Sequence, residues 1–329
     1  MNMSWGRVLM CVLRRLFSWT HIRSSFKSFL KRFLAVAGGI HLIVQILLKA
    51  VDPFVAHCGR DVAIAFQKFA VFVNGDFYAA LITFAVLYAF VKCLPRMSAS
   101  ARIRGTDIVV RVAVREILKQ GCDFALTCSR TFDTDTEKFV KSPSLQYDFQ
   151  EKFFPGKMVL DKCIGEQVKG LKVEKKLQRG SKRKQYPIGT VAKVAIPDSQ
   201  LSAFLVAIPR STGDGGAVGC FTDFQIGVER LWRAISSGGV LKKLAVPVFG
   251  TGRSGLTNSG MSIIQEIVRS FVAVSRNSKI ADELVICVYP ADVSRMKIDF
   301  EQIQKYLDVE CGKEPFLSTE IPAGTKELT

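Results

Sequence analysis

A chain of 329 residues with net charge +17 and 48% hydrophobic residues has room for two domains, and its charge and apolarity direct it to a membrane or a polyanion. Its three histidines, His21, His41 and His57, all lie near the start, which excludes a Ser-His triad, a Cys-His dyad and a histidine-ligated zinc from everything after them. The nine cysteines form no C-x-x-C pair and sit mostly in apolar runs, as buried free thiols do in a reducing cytoplasm.

Residues 1–32 carry Arg7, Arg14, Arg15, Arg23, Lys27, Lys31 and Arg32 and no acid. Trp5, Val8, Leu9, Val12 and Leu16 recur at helical spacing, so this stretch is expected to be a basic amphipathic helix on an anionic membrane surface. Residues 33–98 are expected to be a transmembrane hairpin and linker. Phe33 to Val51 is nearly long enough to cross a bilayer. His41, Gln45 and Lys49 form one polar stripe along it, either a self-associating or pore-lining face or the side of a shallow helix whose Lys49 snorkels. Phe77 to Leu94 is the second span. Lys92 lies near its end and Arg96, Arg102 and Arg104 follow it, and basic residues also precede the first span, so the positive-inside rule puts both termini in the cytoplasm. Pro95 to Arg104 reads as the linker.

Residues 99–329 alternate strand and helix patterns. Thr106 to Val114, Asp123 to Cys128, Thr190 to Ile196, Ala203 to Ile208, Leu244 to Phe249 and Leu284 to Val288 read as strands. Ser144 to Phe154, Val159 to Leu171, Phe224 to Ile235, Met261 to Val274 and a segment around Phe300 to Leu307 read as helices. This pattern predicts a three-layer α/β domain with a mixed central sheet and a ligand at the C-terminal strand ends.

The stretch Leu244 to Leu256 concentrates the chemistry. A buried-strand run leads into Gly250-Thr251-Gly252-Arg253-Ser254-Gly255, and Thr257-Asn258-Ser259 caps the helical pattern beyond it. Glycines let a ligand approach the main chain, and a helix N-terminus offers unpaired N–H groups and partial positive charge. Together these make a phosphate cradle to which Arg253 adds charge; the bland alternative is an ordinary strand-to-helix turn. The acidic ribose partner of a dinucleotide fold is not in place, because the next strand ends in Tyr289-Pro290. The basic run Lys169 to Lys184 reads as a solvated hairpin arm, with nucleic acid or a membrane surface as the alternatives. Ser211 to Gly216 is a glycine-rich connection, either a lid or a plain loop.

Thr131-Phe132-Asp133-Thr134, Ser142-Pro143-Ser144-Leu145-Gln146, Tyr186-Pro187-Ile188-Gly189-Thr190-Val191, Leu231-Trp232 and the Pro247 to Leu256 loop occur in an order that resembles the macro domain of the Thoeris anti-phage effectors, the ThsA family, in the branch that follows two transmembrane helices. The resemblance spans about residues 106–290. It implies a macro-domain fold that binds an ADP-ribose derivative of the imidazole- or histidine-linked type, made from NAD by a TIR-domain partner. It implies that binding drives self-assembly, and that the hairpins then disrupt the bacterial inner membrane as abortive infection. No other cofactor, metal or nucleic acid is expected.

By position, the resemblance assigns Gly250, Thr251, Gly252, Arg253, Ser254 and Gly255 to the diphosphate and distal ribose. It assigns Phe132 and Asp133 to the distal end of the pocket, and Ser142, Ser144, Leu145 and Gln146 to the helix on the other side of the phosphates. The macro-domain Gly-Asp-Ile that contacts adenine is replaced here by Arg115-Glu116-Ile117, so Glu116 is the first candidate acceptor and Asp107, before the strand, the second. The first loop, Thr127-Cys128-Ser129-Arg130, has no Asn of the kind hydrolytic relatives use. The chain is therefore expected to be a ligand-gated effector with no catalytic residues, the alternative being a membrane-anchored ADP-ribosyl or nucleotide hydrolase.

Overall fold

The computed structural model describes residues 96–137, 140, 142, 144–154, 157–177, 182–211, 217–250, 259–314 and 78–93. Nearer the start it describes residues 31, 33–36, 38–40, 42–47, 49–51, 53, 64, 65, 67, 68 and 71. The expected amphipathic segment before Lys31 lies outside the described residues, and so does His41 of the polar stripe.

The chain divides into two compact units, one taking in residues 9–95 and the other residues 96–329. In the first unit, helix α1 (Phe33–Val51) is long and apolar enough to cross a membrane, with a mean hydropathy of 2.0 over its best window. It is the one such helix among the described residues. The second expected span is helix α2 (Tyr78–Cys93), whose 16 residues fall just short of the usual spanning length. Phe77 and Leu94 lie outside the described residues.

The second unit is built on a seven-stranded sheet. Its strands are β1 (Ser98–Arg102), β2 (Val109–Val114), β3 (Asp123–Cys128), β6 (Val191–Ala195), β7 (Ser202–Ala207), β10 (Leu241–Pro247) and β11 (Ala281–Val288), in the order β1-β2-β11-β10-β3-β7-β6. The five inner strands are parallel and the two edges antiparallel, so the sheet is mixed as the sequence predicts. Two short hairpins complete the strands: β4 (Lys175–Lys176) with β5 (Lys184–Gln185), and β8 (Arg210–Ser211) with β9 (Ala217–Val218). The helices are α3 (Leu145–Phe153), α4 (Lys157–Gln167), α5 (Phe221–Ser236), α6 (Gly260–Ser275), α7 (Pro290–Arg295) and α8 (Phe300–Gly312).

Strand alternation explains the layers. On one face Phe124, Leu126 and Cys128 of β3, with Ala203, Leu205 and Ala207 of β7, pack against Phe149, Leu160 and Ile164 of α3 and α4. The alternate residues, Ala125, Phe204, Val206, Leu244 and Val246, are buried toward the other face, where α5 packs on β6 and β7 and in turn against α6. Trp232 is fully buried there, edge-on to Phe271, and donates to the Ser270 hydroxyl at 2.9 Å. A side chain at Gly227 of α5 would lie 2.5 Å from Ile208, so this close helix–strand approach requires glycine.

One expectation is corrected here. Residues 98–102, read as part of the linker, form the edge strand β1. The serines and alanines that make up most of it carry little strand propensity. The strand is held from outside: it pairs along β2, and the Gln304 side chain of α8 donates to the Ser100 carbonyl and accepts from its N–H at 3.0 and 3.1 Å.

Candidate functional site

The strand order creates one place where neighbouring parallel strands send their connections in opposite directions. From β10 the chain runs through α6 to β11 on one side; from β3 it runs through α3 and α4 toward β6 and β7 on the other. The crevice beyond the C-terminal ends of β10 and β3 is therefore the topological switch point, the favoured ligand position in open α/β sheets. Helices α3 and α6 cover opposite faces and both start at this end.

Both helix starts carry caps that leave donors over. The Ser144 hydroxyl accepts from the Tyr147 N–H at 3.1 Å at the start of α3, and the Ser259 hydroxyl accepts from the Ser262 N–H at 3.2 Å at the start of α6. The remaining N–H groups of each first turn have no partner within their helix, and each helix adds partial positive charge. An anion between them would meet both.

The loop after β10 begins with Val248 and Phe249, both buried, Phe249 against Phe224 at 6.1 Å between ring centres. Gly250 then takes φ of +76°, which glycine adopts without strain. Thr251, Gly252, Arg253, Ser254 and Gly255 lie outside the described residues.

The loop after β3 has no glycine and is held by side chains. Phe132 is fully buried with φ of +51°, its ring edge-on to Tyr186 at 5.8 Å. The buried Asp133 carboxylate accepts from the Thr131 hydroxyl at 2.5 Å and from the Lys182 N–H at 3.2 Å. Its carbonyl accepts from the Gln146 side chain at 2.7 Å, and Gln150 donates to the Thr134 carbonyl at 2.9 Å. The Lys182 ammonium donates to the Phe132 carbonyl at 2.6 Å and to Asp161 at 2.7 Å, and Thr134 also bonds Asp161. Arg130, 1% exposed, donates to the Tyr186 carbonyl at 2.9 Å and pairs with Glu174.

The structure thus brings Phe132, Asp133, Gln146 and the Ser144 cap into one packed unit. Leu145 packs against the core beside it, and Ser142 is exposed nearby in the chain. The sequence reading did not single out Arg130, Asp161 or Lys182 for this loop. The expected hairpin arm exists as β4–β5, but its Lys182 turns inward instead of being solvated.

The two adenine candidates sit at opposite ends of β2. Glu116 follows the C-terminal end, half-buried and paired with Lys119 at 2.6 Å. Asp107 precedes the N-terminal end, exposed and bonded by both carboxylate oxygens to Lys279 at 2.7 and 2.9 Å, which holds its carboxyl below the usual range. Just past Val288 of β11, whose carbonyl accepts from the Arg115 N–H at 3.0 Å, Tyr289 is 41% exposed at the start of α7. The glycine-rich connection after β7 joins β8 to β9, and its residues 212–216 lie outside the described residues. No group of three or more metal-ligating side chains stands together among the described residues.

The family model described as "Thoeris protein ThsA, Macro domain" matches residues 110–289, more than half of the chain. No curated protein matches it in sequence. Among solved structures, the Oceanobacillus iheyensis macrodomain with ADP is similar at 10% identity, covering 64% of this chain and 98% of that one, with a TM-score of 0.43. The Trypanosoma brucei macrodomain in complex with ADP-ribose is similar at 9% identity over 60% and 71% of the two chains, TM-score 0.38. The tomato leucine aminopeptidase mutant K354E is similar at 13% identity over 66% and 38%, TM-score 0.38.

Proposed function

The chain belongs to the Thoeris ThsA macro-domain family, and from that premise we propose that it is an anti-phage effector that senses an ADP-ribose-type nucleotide. The observation that carries this reading is the convergence of the α3 and α6 N-termini on the β3–β10 switch point, where Gly250 opens the second loop. A diphosphate there takes N–H donors and two helix dipoles. The loop beyond Gly250 supplies the rest of the cradle, with Arg253 as the charge-assisted donor.

The adenosine half extends toward β2. That strand lies two positions from β10, about 10 Å at ordinary strand spacing, the scale of a nucleoside. Glu116 accepts from the adenine amine, and Tyr289 offers a ring face beside it. The distal ribose and its imidazole- or histidine-type head group lie toward Phe132, Asp133, Ser142 and Gln146.

The protein senses the ligand and does not turn it over. The loop after β3 has no Asn to position water, and the Asp133 carboxylate is engaged by Thr131 and Lys182. A TIR-domain partner makes the signal from NAD. α1 and α2 form a two-pass anchor with both termini cytoplasmic, and ligand-driven assembly of these hairpins damages the inner membrane. Such coupling requires the ligand to bind the assembled state more tightly than the free one.

The test is calorimetric titration of the full-length protein in detergent with ADP-ribose and with an imidazole-linked ADP-ribose, followed by light scattering. Tight binding of the conjugate with growth in particle size is expected. Absence of binding by either compound overturns the sensor reading. Release of free imidazole during the titration overturns the non-enzymatic one.

A further inference from the structure

We propose that the exposed cations of strands β4 and β5 and of the chain leading into them form a docking surface for anionic lipid headgroups. Lys169, Lys172, Lys175, Lys176, Arg183 and Lys184 are all exposed there. Among the described residues none has a carboxylate within 4.0 Å. The charges that are matched point inward: Glu174 pairs with buried Arg130, and Lys182 pairs with Asp161. What remains outside is a ribbon of unmatched positive charge on strands two residues long.

Like charges this close repel one another and contribute nothing to holding the hairpin. The hairpin is held instead by its backbone pairing and by the inward contacts of Arg130 and Lys182. The outer cations therefore call for a negative partner.

The residue types favour lipid over nucleic acid. Five of the six are lysines, compact charges suited to a diffuse negative surface; phosphate forks and base edges are better served by arginine. Binding single-stranded nucleic acid also uses exposed aromatic platforms, and the aromatic of this run, Tyr186, is buried against Phe132. Leu171 is 45% exposed between Lys169 and Lys172 in sequence, an aliphatic side chain placed among cations as at a headgroup boundary. Surface attraction of this kind fades within a Debye length, so the hairpin must be kept close to the bilayer. The inference rests on the membrane-anchored reading for that proximity.

The experiment uses the full-length protein in liposomes of phosphatidylcholine alone or mixed equally with phosphatidylglycerol. Flotation on the phosphatidylcholine liposomes tests the anchor by itself, so its failure is visible separately. Amide hydrogen exchange over residues 169–185 tests the docking. Exchange is expected to slow several-fold on the anionic liposomes, and the effect is expected to vanish in ~0.5 M salt, where the screening length is a few ångströms. The triple variant Lys175→Gln, Lys176→Gln, Lys184→Gln, which touches no inward contact, should lose the protection while keeping its melting temperature. Equal exchange on both liposomes overturns the proposal. So does protection by added RNA or DNA with none from the anionic lipid, which reassigns the surface to nucleic acid.

Discussion

The chain leaves β3 and β10 at the same end of the sheet from neighbouring strands, yet the two departures are made by different means. After β10 the turn is made by the backbone: Gly250 takes a left-handed conformation and the chain reaches the Ser259 cap of α6. After β3 the chain also visits the left-handed region, but through Phe132, a bulky residue for which that conformation is costly. Its cost is offset by burial of the ring and by hydrogen bonds from Gln146, Gln150 and Lys182. The turn at Gly250 is set by its own residue type. The loop after β3 is specified by residues elsewhere in the chain, which make it a fixed wall for whatever enters the crevice.

The largest break in this comparison should come from the wall. Phe132→Ala removes a fully buried ring and its contact with Tyr186 while keeping the strained backbone. A loss of about 3–5 kcal/mol is expected by denaturant unfolding. A loss under about 1 kcal/mol would mean that the ring does not offset the backbone strain.

Lys182→Met comes next. It keeps the length of the side chain and removes the ammonium that joins the Phe132 carbonyl to Asp161. A loss of about 1–3 kcal/mol is expected, since it leaves polar groups without that donor. If the fixed wall shapes the ligand site, nucleotide affinity should also fall, measured at a temperature where the variant is fully folded. Unchanged affinity would separate the wall from the site.

These two positions also show why the loops differ in legibility. Gly250 and Ser259 were readable because strand, glycine, cap and helix follow one another within one short stretch. Ser144 was readable for the same reason, opening an amphipathic run. Lys182 was not, because its partners Asp161 and Asp133 lie 21 and 49 residues away and a lysine in a basic run looks solvated. The edge strand β1 was hidden because the only apolar residues in the Ser-Ala-Ser-Ala-Arg alternation are alanines, too small to mark a strand; β2 and α8 impose its form. The alternating strands and helices were legible enough to give the mixed sheet. Its switch point depends on strand order, which no local pattern encodes.

A smaller effect is expected from Gly250→Ala. Placing a Cβ at φ of +76° should lower stability by about 1–2 kcal/mol. The informative quantity is again affinity: a drop well beyond the stability change is expected if Gly250 opens the phosphate site as proposed. If affinity is unchanged while Lys182→Met weakens binding, the side-chain-built loop dominates recognition, reversing the weight given to the glycine turn.

The smallest expected effect concerns the two acids that flank β2. Asp107 and Glu116 differ chiefly in the end of the strand they occupy, so they separate ligand contact from surface pairing. Asp107→Asn should leave affinity for any adenine nucleotide unchanged, because it lies away from the C-terminal strand ends that form the crevice. Its bonds to Lys279 depress its pKa, so their contribution to folding is present above the ordinary carboxylate value of 3.8. It is lost as pH falls through the depressed folded-state value. Both groups are exposed to solvent, so the acid-limb shift in melting temperature between wild type and Asp107→Asn should be slight and should shrink with salt. Glu116→Gln keeps the side-chain shape and an acceptor oxygen but brings an amide N–H toward the adenine amine, so affinity for ADP-ribose should fall while affinity for ribose 5-phosphate does not. If Asp107→Asn weakens adenine binding and Glu116→Gln does not, the nucleoside lies at the opposite end of the sheet, and the switch-point geometry is the wrong frame for the site.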